Sequence, residues 1–189
     1  TRASVNLHGG EITNCSAGDL GGGVYVGKNG TFNMDGGTIS GCTSSNLGGG
    51  VYVEGGSTFN MSGTAKIDQC VAAKRGGGIY NRGEMTMNDG TISGCYVTGN
   101  DGGGIETTGT FTMNGGTLTG NRANCGGGVM VTGGKMYLRG GSISDNTATY
   151  YKSYAGGGIC VYGSTLEMSG GVITDNVASG YTGGGVCVV

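Results

Sequence analysis

The feature that most constrains this chain is a Gly-Gly-Gly triplet that returns seven times. It stands at 21–23, 48–50, 76–78, 102–104, 126–128, 156–158 and 183–185, so successive triplets begin 27, 28, 26, 24, 30 and 27 residues apart. A period of this size marks stacked supersecondary units, none of which can bury its apolar face alone. Each triplet opens a short alternating run, such as VYV at 24–26 and 51–53, IYN at 79–81, IET at 105–107 or VCV at 186–188. Alternation over a few β-branched residues is the period-two signature of a strand with one buried face. It predicts Val24 and Val26 pointing inward and Tyr25 outward.

Two more runs alternate with the triplets in fixed order. The first is SVNL at 4–7, TFNM at 31–34 and 58–61, EMTM at 84–87, TFTM at 110–113, KMYL at 135–138 and TLEM at 165–168. The next is EIT at 11–13, TIS at 38–40 and 91–93, KID at 66–68, TLT at 117–119, SIS at 142–144 and VIT at 172–174, always with Ile or Leu in the middle. Two residues beyond it stands Cys15, Cys42, Cys70, Cys95, Asn121, Asn146 or Asn176. Three short strands per unit, with glycine at the corners, predict an all-β parallel β-helix of about seven three-stranded coils. Coils ~4.8 Å apart would pair as parallel sheets and merge their apolar residues into continuous columns. An antiparallel sandwich with glycine hairpins does not account for the same three runs recurring in one order. Unequal coils of about 27 residues fit a right-handed solenoid better than a left-handed one built on hexapeptides. Residues 1–189 therefore read as a single domain. Both ends fall inside the pattern, which suggests a segment of a longer repeat protein.

The motifs GGG(V/I)YV, TF(T/N)M and GGTISG(N/C), which together span the chain, resemble the right-handed β-helix repeats of bacterial surface and secreted proteins. These belong to the pectin-lyase-like superfold, and the motifs are similar to the GGA-I and FxxN repeats of polymorphic outer-membrane proteins and to the repeats of many secreted gut-bacterial proteins. The resemblance implies a β-helix at the cell surface or outside the cell. It leaves function open, because the superfold carries lyases, hydrolases, adhesins and passive stalks.

Composition narrows the partners. Net charge is −2 and 12% of residues are charged, so neither a nucleic-acid backbone nor an anionic membrane surface is an expected partner. No stretch approaches the ~20 continuous apolar residues of a membrane span. Glycine numbers 48 and proline none, but the glycines keep register with apolar residues and so read as ordered turns.

Several side chains invite chemistry, and each has a plainer structural reading. The column Cys15, Cys42, Cys70, Cys95, Asn121, Asn146 and Asn176 is read as structural, with thiols and amides serving neighbouring backbone groups. The cysteines of this column are expected to be buried and reduced. Cys160 and Cys187 would be an outward pair, and Cys125 stands alone. The single histidine, His8, falls at an exposed turn. Acidic residues look scattered; only Asp145 and Asp175 stack, as turn residues. No cofactor or metal is expected. Outward Thr and Ser rows (Thr38/Ser40, Thr91/Ser93, Thr117/Thr119, Ser142/Ser144) would suit ice, although Glu11 and Lys66/Asp68 interrupt them. Candidate binding surfaces are the long turn bearing Tyr150, Tyr151, Lys152 and Tyr154, with Tyr181 one coil on, and a stripe of Tyr25, Tyr52 and Tyr80. Exposed tyrosines suit sugar rings or protein partners. The resulting expectation is a non-enzymatic stalk or adhesin that contacts glycans or host proteins, or stacks end to end into filaments. The competing class is a polysaccharide-cleaving enzyme, which would need acids and a basic residue gathered in one groove.

Overall fold

The computed structural model describes residues 2–150, 154–180 and 182–189. Among these, 28 strands form four seven-stranded sheets, and every strand pairs with the corresponding strand one coil away. In the second coil the strands are Val24–Val26, Thr31–Met34, Thr38–Ser40 and Thr43–Ser44. All pairings are parallel and in register, for example Phe32 with Phe59 and Ile39 with Ile67, so the chain is a β-solenoid. The first three strands are the runs anticipated from the sequence. The fourth, two residues long, corrects the expectation of three strands per coil.

The core is a set of columns along the axis. Ile39, Ile67, Ile92, Leu118 and Ile143 form one; Met34, Met61, Met87, Met113 and Leu138 form another, all with essentially no exposure. Met168, which continues this column after Leu138, is half exposed because its coil is packed on one side only. Phe32 and Phe59 stack at 5.2 Å in a third column. Asn81 and Thr107 interrupt the valine column and are fully buried. They partner each other, with Asn81 Nδ2 donating to Thr107 Oγ1 at 3.0 Å and to the Thr110 carbonyl at 2.9 Å, while Asn81 Oδ1 accepts from the Gly83 amide. Buried polar groups are tolerable when satisfied in this way.

The Gly-Gly-Gly triplet serves three purposes. Gly48, the first, has φ 66, a left-handed conformation that glycine adopts without steric cost. A Cβ on Gly49, the second, would overlap the Gly77 carbonyl and the backbone of Val71. A Cβ on Gly50, the third, would come within 2.8 Å of the Gly78 carbonyl and 3.1 Å of Ile67 Cγ2. One residue controls the corner, one lets two backbones pass, and one leaves room for the isoleucine column.

Candidate functional site

The cysteine–asparagine column is structural in its geometry. Each asparagine serves the preceding coil through both its amide oxygen and its amide nitrogen. Asn146 Oδ1 accepts from the Asn121 amide and from Asn121 Nδ2, both at 3.0 Å, and Asn146 Nδ2 donates to the Leu118 carbonyl at 3.0 Å. Asn176 repeats this with Asn146 and Ile143, and Asn121 accepts from the Cys95 amide. Asn121 and Asn146 are buried and Asn176 half-buried. Where cysteine takes the place, the thiol donates weakly to carbonyls, Cys70 to Asp68 at 3.4 Å and to Ile39 at 3.8 Å. Cys42, Cys70 and Cys95 are buried and unbridged. Burial pushes the Cys42 thiol up to about 11 and raises Cys95 well above the ordinary thiol value. Cys15 departs from expectation: it is exposed, since its coil has a neighbour on one side only.

The tyrosine stripe is a correction too. Tyr25, Tyr52 and Tyr80 do stack in register, with ring centroids 5.4 and 5.7 Å apart. Only Tyr25 is open, at 52% exposure; Tyr52 and Tyr80 retain 1% and 8%. Pointing out of a sheet is not the same as facing solvent: Tyr52 is sandwiched between the rings of Tyr25 and Tyr80, and its hydroxyl donates to Glu54 at 3.4 Å. Arg82 Nη1 reaches Glu54 at 3.1 Å and donates to the Tyr52 hydroxyl at 3.3 Å, closing the rim. Cys160 and Cys187 are outward as expected yet buried, together with Met130 and the half-buried Cys125. The long turn keeps Tyr150 and Tyr154 exposed; Tyr151, Lys152 and Tyr181 lie outside the described residues. His8 Nδ1 lies 2.8 Å from the Asp35 carboxylate on the surface. Asp145 and Asp175 hold φ 58 and 54, the left-handed turn position that Gly41 and Gly94 occupy in other coils. On the Thr/Ser face, Lys66 pairs with Asp68, which accepts from the Ser93 hydroxyl at 2.5 Å, so the rows are crossed by a charged cluster.

The same outer groove holds an arrangement that sequence reading missed. A ladder of bridged residues, Leu20, Leu47, Arg75, Asp101 and Cys125, runs beside the outward column Tyr25, Tyr52, Tyr80, Glu106, Met130 and Cys160. In the middle coils this gathers two acids and a guanidinium. Arg75 Nη1 donates to Glu106 Oε1 at 3.0 Å; Glu106 is 0% exposed and its Oε2 has no partner. Burial outweighs the attraction of Arg75 and pushes the Glu106 carboxyl up to about 8. Burial likewise raises Asp101, while Glu106 raises Arg75. Burial drives Cys125 to about 12, with the nearby Asp101 adding to the effect. These thiols are poor nucleophiles at neutral pH, because the thiolate is the reactive form. Beside this wall lies a cavity of about 250 Å³, lined by Arg75, Asp101, Cys125, Met130, Thr132, Tyr154, Cys160 and Tyr162. The acids were therefore not all scattered. Their signal was positional: aligning coils on the triplet puts Arg75 and Asp101 where Leu20 and Leu47 stand, and Glu106 where tyrosines stand.

Among the described residues, no group of three or more His, Cys, Asp or Glu side chains is placed to hold a metal ion, and no helix is long and apolar enough to cross a membrane. No curated protein and no solved structure matches the chain. The family model described as the right handed beta helix region matches residues 22–189. Covering most of the sequence and agreeing with the coil-by-coil parallel pairing, that match establishes that the chain belongs to the right-handed β-helix family.

Proposed function

We propose that this β-helix is a non-enzymatic structural scaffold of a bacterial surface or secreted protein, a stalk or adhesin-like segment that carries binding surfaces for glycans or host proteins. The observation that carries the reading is the unbroken register of all four sheets, reinforced by amide ladders inside (Asn121–Asn146–Asn176) and outside (Asn6–Asn33–Asn60). Such a solenoid spends its most versatile side chains on coil-to-coil contact and presents a long, firm outer face, as extended recognition surfaces do. Exposed apolar residues at the column ends, including Val5, Met168 and Val188, are surfaces on which further coils or a second copy would stack.

One observation favours the enzymatic alternative: Asp101, Glu106 and Arg75 share a groove. Against it, Glu106 has no exposed surface, and a general acid must reach the bond it protonates. The test is a glycan array combined with incubation of pectic and other acidic and neutral polysaccharides. Binding without new reducing ends or unsaturated products is the expected result. Chain cleavage that disappears in Glu106→Gln or Asp101→Asn would replace the scaffold reading with the enzymatic one.

A further inference from the structure

The outer groove ends in a cluster of sulfur. Cys160 and Cys187 are register partners on the neighbouring parallel strands Ile159–Tyr162 and Val186–Val188. Ile159 and Val161 enter the core, so alternation turns both cysteines to the outer face, where they pack with Met130 and the half-buried Cys125. Both thiols are unbridged. Neighbouring strands stand about 4.7–4.9 Å apart, inside the ~4.4–6.8 Å that a disulfide spans between Cα atoms. The two side chains project the same way, so the bond closes chiefly by their rotation. Other pairings fail on position. The partner of Cys160 on its other side is Met130, which leaves Cys187 as the one thiol in register with it. Cys125 belongs to the adjoining ladder, bridged to Asp101, and its Sγ donates to the Tyr154 carbonyl at 2.7 Å.

Access separates this pair from the inner thiols. Cys160 lines the cavity of about 250 Å³ on the outer face, just below the usual range of ligand pockets and wide enough for a small reagent. Cys42, Cys70 and Cys95 also follow one another from coil to coil, but they have no exposed surface and donate to the carbonyls of Ser40, Asp68 and Ser93. Burial, and to a lesser degree the adjacent Cys187 thiol, raises Cys160 to about 11. That slows its reaction at neutral pH, because the thiolate is the attacking form, and leaves the choice of partner to the register.

We propose that Cys160 and Cys187 are a redox-closed clip, a disulfide that ties strand Val186–Val188 to strand Ile159–Tyr162 when a small disulfide oxidant enters the cavity. The Cys160 thiolate attacks one sulfur of the oxidant R–S–S–R, breaks its S–S bond and expels one thiolate RS⁻. The Cys187 thiolate then attacks Cys160 Sγ in the mixed disulfide, forms the protein bond and expels the second RS⁻. The protons given up by the two protein thiols pass to the two leaving thiolates, so the protein pair is oxidised and one oxidant is reduced to two RSH. The inference goes beyond the scaffold reading and does not depend on what the outer face binds. The oxidising surroundings of a surface or secreted protein would supply such an oxidant.

The probe is bis(2-hydroxyethyl) disulfide, which is small and neutral. The folded protein is incubated with it at mildly alkaline pH, quenched in acid, denatured and alkylated, and the products are read by intact mass and peptide mapping. The expected product has lost the mass of two hydrogens, carries one bridge between Cys160 and Cys187, and leaves the other five of the seven cysteines free to alkylate. Its rate of formation should rise about tenfold per pH unit through the neutral range, as the thiolate fraction does below the raised Cys160 value. Cys187→Ser should form no bridge, and Cys125→Ser should close as the parent does. The bridged parent should unfold at a higher denaturant concentration than the same protein after reduction, because the bond closes the loop between the two strands. Seven alkylated cysteines, a mixed disulfide without a bridge, a bridge that includes Cys125, Cys42, Cys70 or Cys95, or failure of Cys125→Ser to close overturns the pairing. A Cys160–Cys187 bridge that leaves the unfolding midpoint unchanged overturns the clip.

Discussion

Glu106 shows what one side chain can cost a solenoid. Its folded-state carboxyl is raised from an ordinary value of 4.5 to about 8 because burial disfavours the charged form. Between those two values the folded chain holds a proton that the unfolded chain has released, so stability falls as pH rises through the window and levels off above about 8. Glu106→Gln keeps the shape and cannot ionise. Thermal melts at pH 5 and pH 8 should show a loss of stability with pH in the parent chain that this variant largely removes; equal losses in both would mean that Glu106 is not the group responsible. Asn146 is a different case, since its amide satisfies the Asn121 amide and the Leu118 carbonyl at once. Each buried group left unpaired costs about 1–3 kcal/mol, so Asn146→Ala should lose about 3 kcal/mol or more in a denaturant titration. Cys70→Asn should be tolerated, because an asparagine there continues the ladder toward Ile39 and the Cys42 amide. The column was legible from the sequence, as its members fall at one offset from the isoleucine. The Arg75–Glu106 pair was not, since the two sit at different offsets from the triplet and meet only when neighbouring coils are laid in register.

Elements are where the sequence was most and least readable. Runs such as TFNM and VYV are long enough to show a period of two, and their pairing followed from the order of recurrence. Val71–Ala72 and its counterparts are two residues long, and alternation has no meaning at that length, so the fourth sheet left no pattern to find. The burial of Tyr52 and Tyr80 escaped for a related reason: the faces of a strand are written in its alternation, but the neighbours that stack on its outward face, here ring on ring with Glu54 and Arg82 beside Tyr52, are not. Glycine corners make the most direct test at this scale. Gly49→Ala must push backbone against backbone at Gly77 and Val71, whereas Gly133, at φ 74, has nothing within 4 Å of an added Cβ. Gly133→Ala should therefore cost only the ~1 kcal/mol of a left-handed alanine. Gly49→Ala should cost clearly more in the same denaturant assay, and equal costs would show that the close approach of the two coils is not as drawn.

At the scale of the whole molecule, each coil meets only the one before and the one after, so stability is a sum of coil and interface terms. Removing one full repeat, residues 48–75, would set Val24 against Ile79, Phe32 against Met85 and Ile39 against Ile92, all compatible neighbours. That shortened chain should keep its β circular dichroism and melt cooperatively, while removal of residues 48–62, about half a coil, should abolish folding by throwing the columns out of step. The inter-coil hydrogen bonds run along the axis, as in Ile79 N to the Gly104 carbonyl at 2.9 Å and Thr117 N to the Gly90 carbonyl at 2.9 Å. Tension applied between the two ends therefore loads a few of these bonds at a time at the outermost coil, not the whole sheet together. A pulling record should climb and drop in a sawtooth, each drop freeing one coil of about 27 residues, or roughly 90 Å of extended chain. A tether built this way yields in fixed lengths under strain and dissipates work at each step while the coils beneath it stay wound.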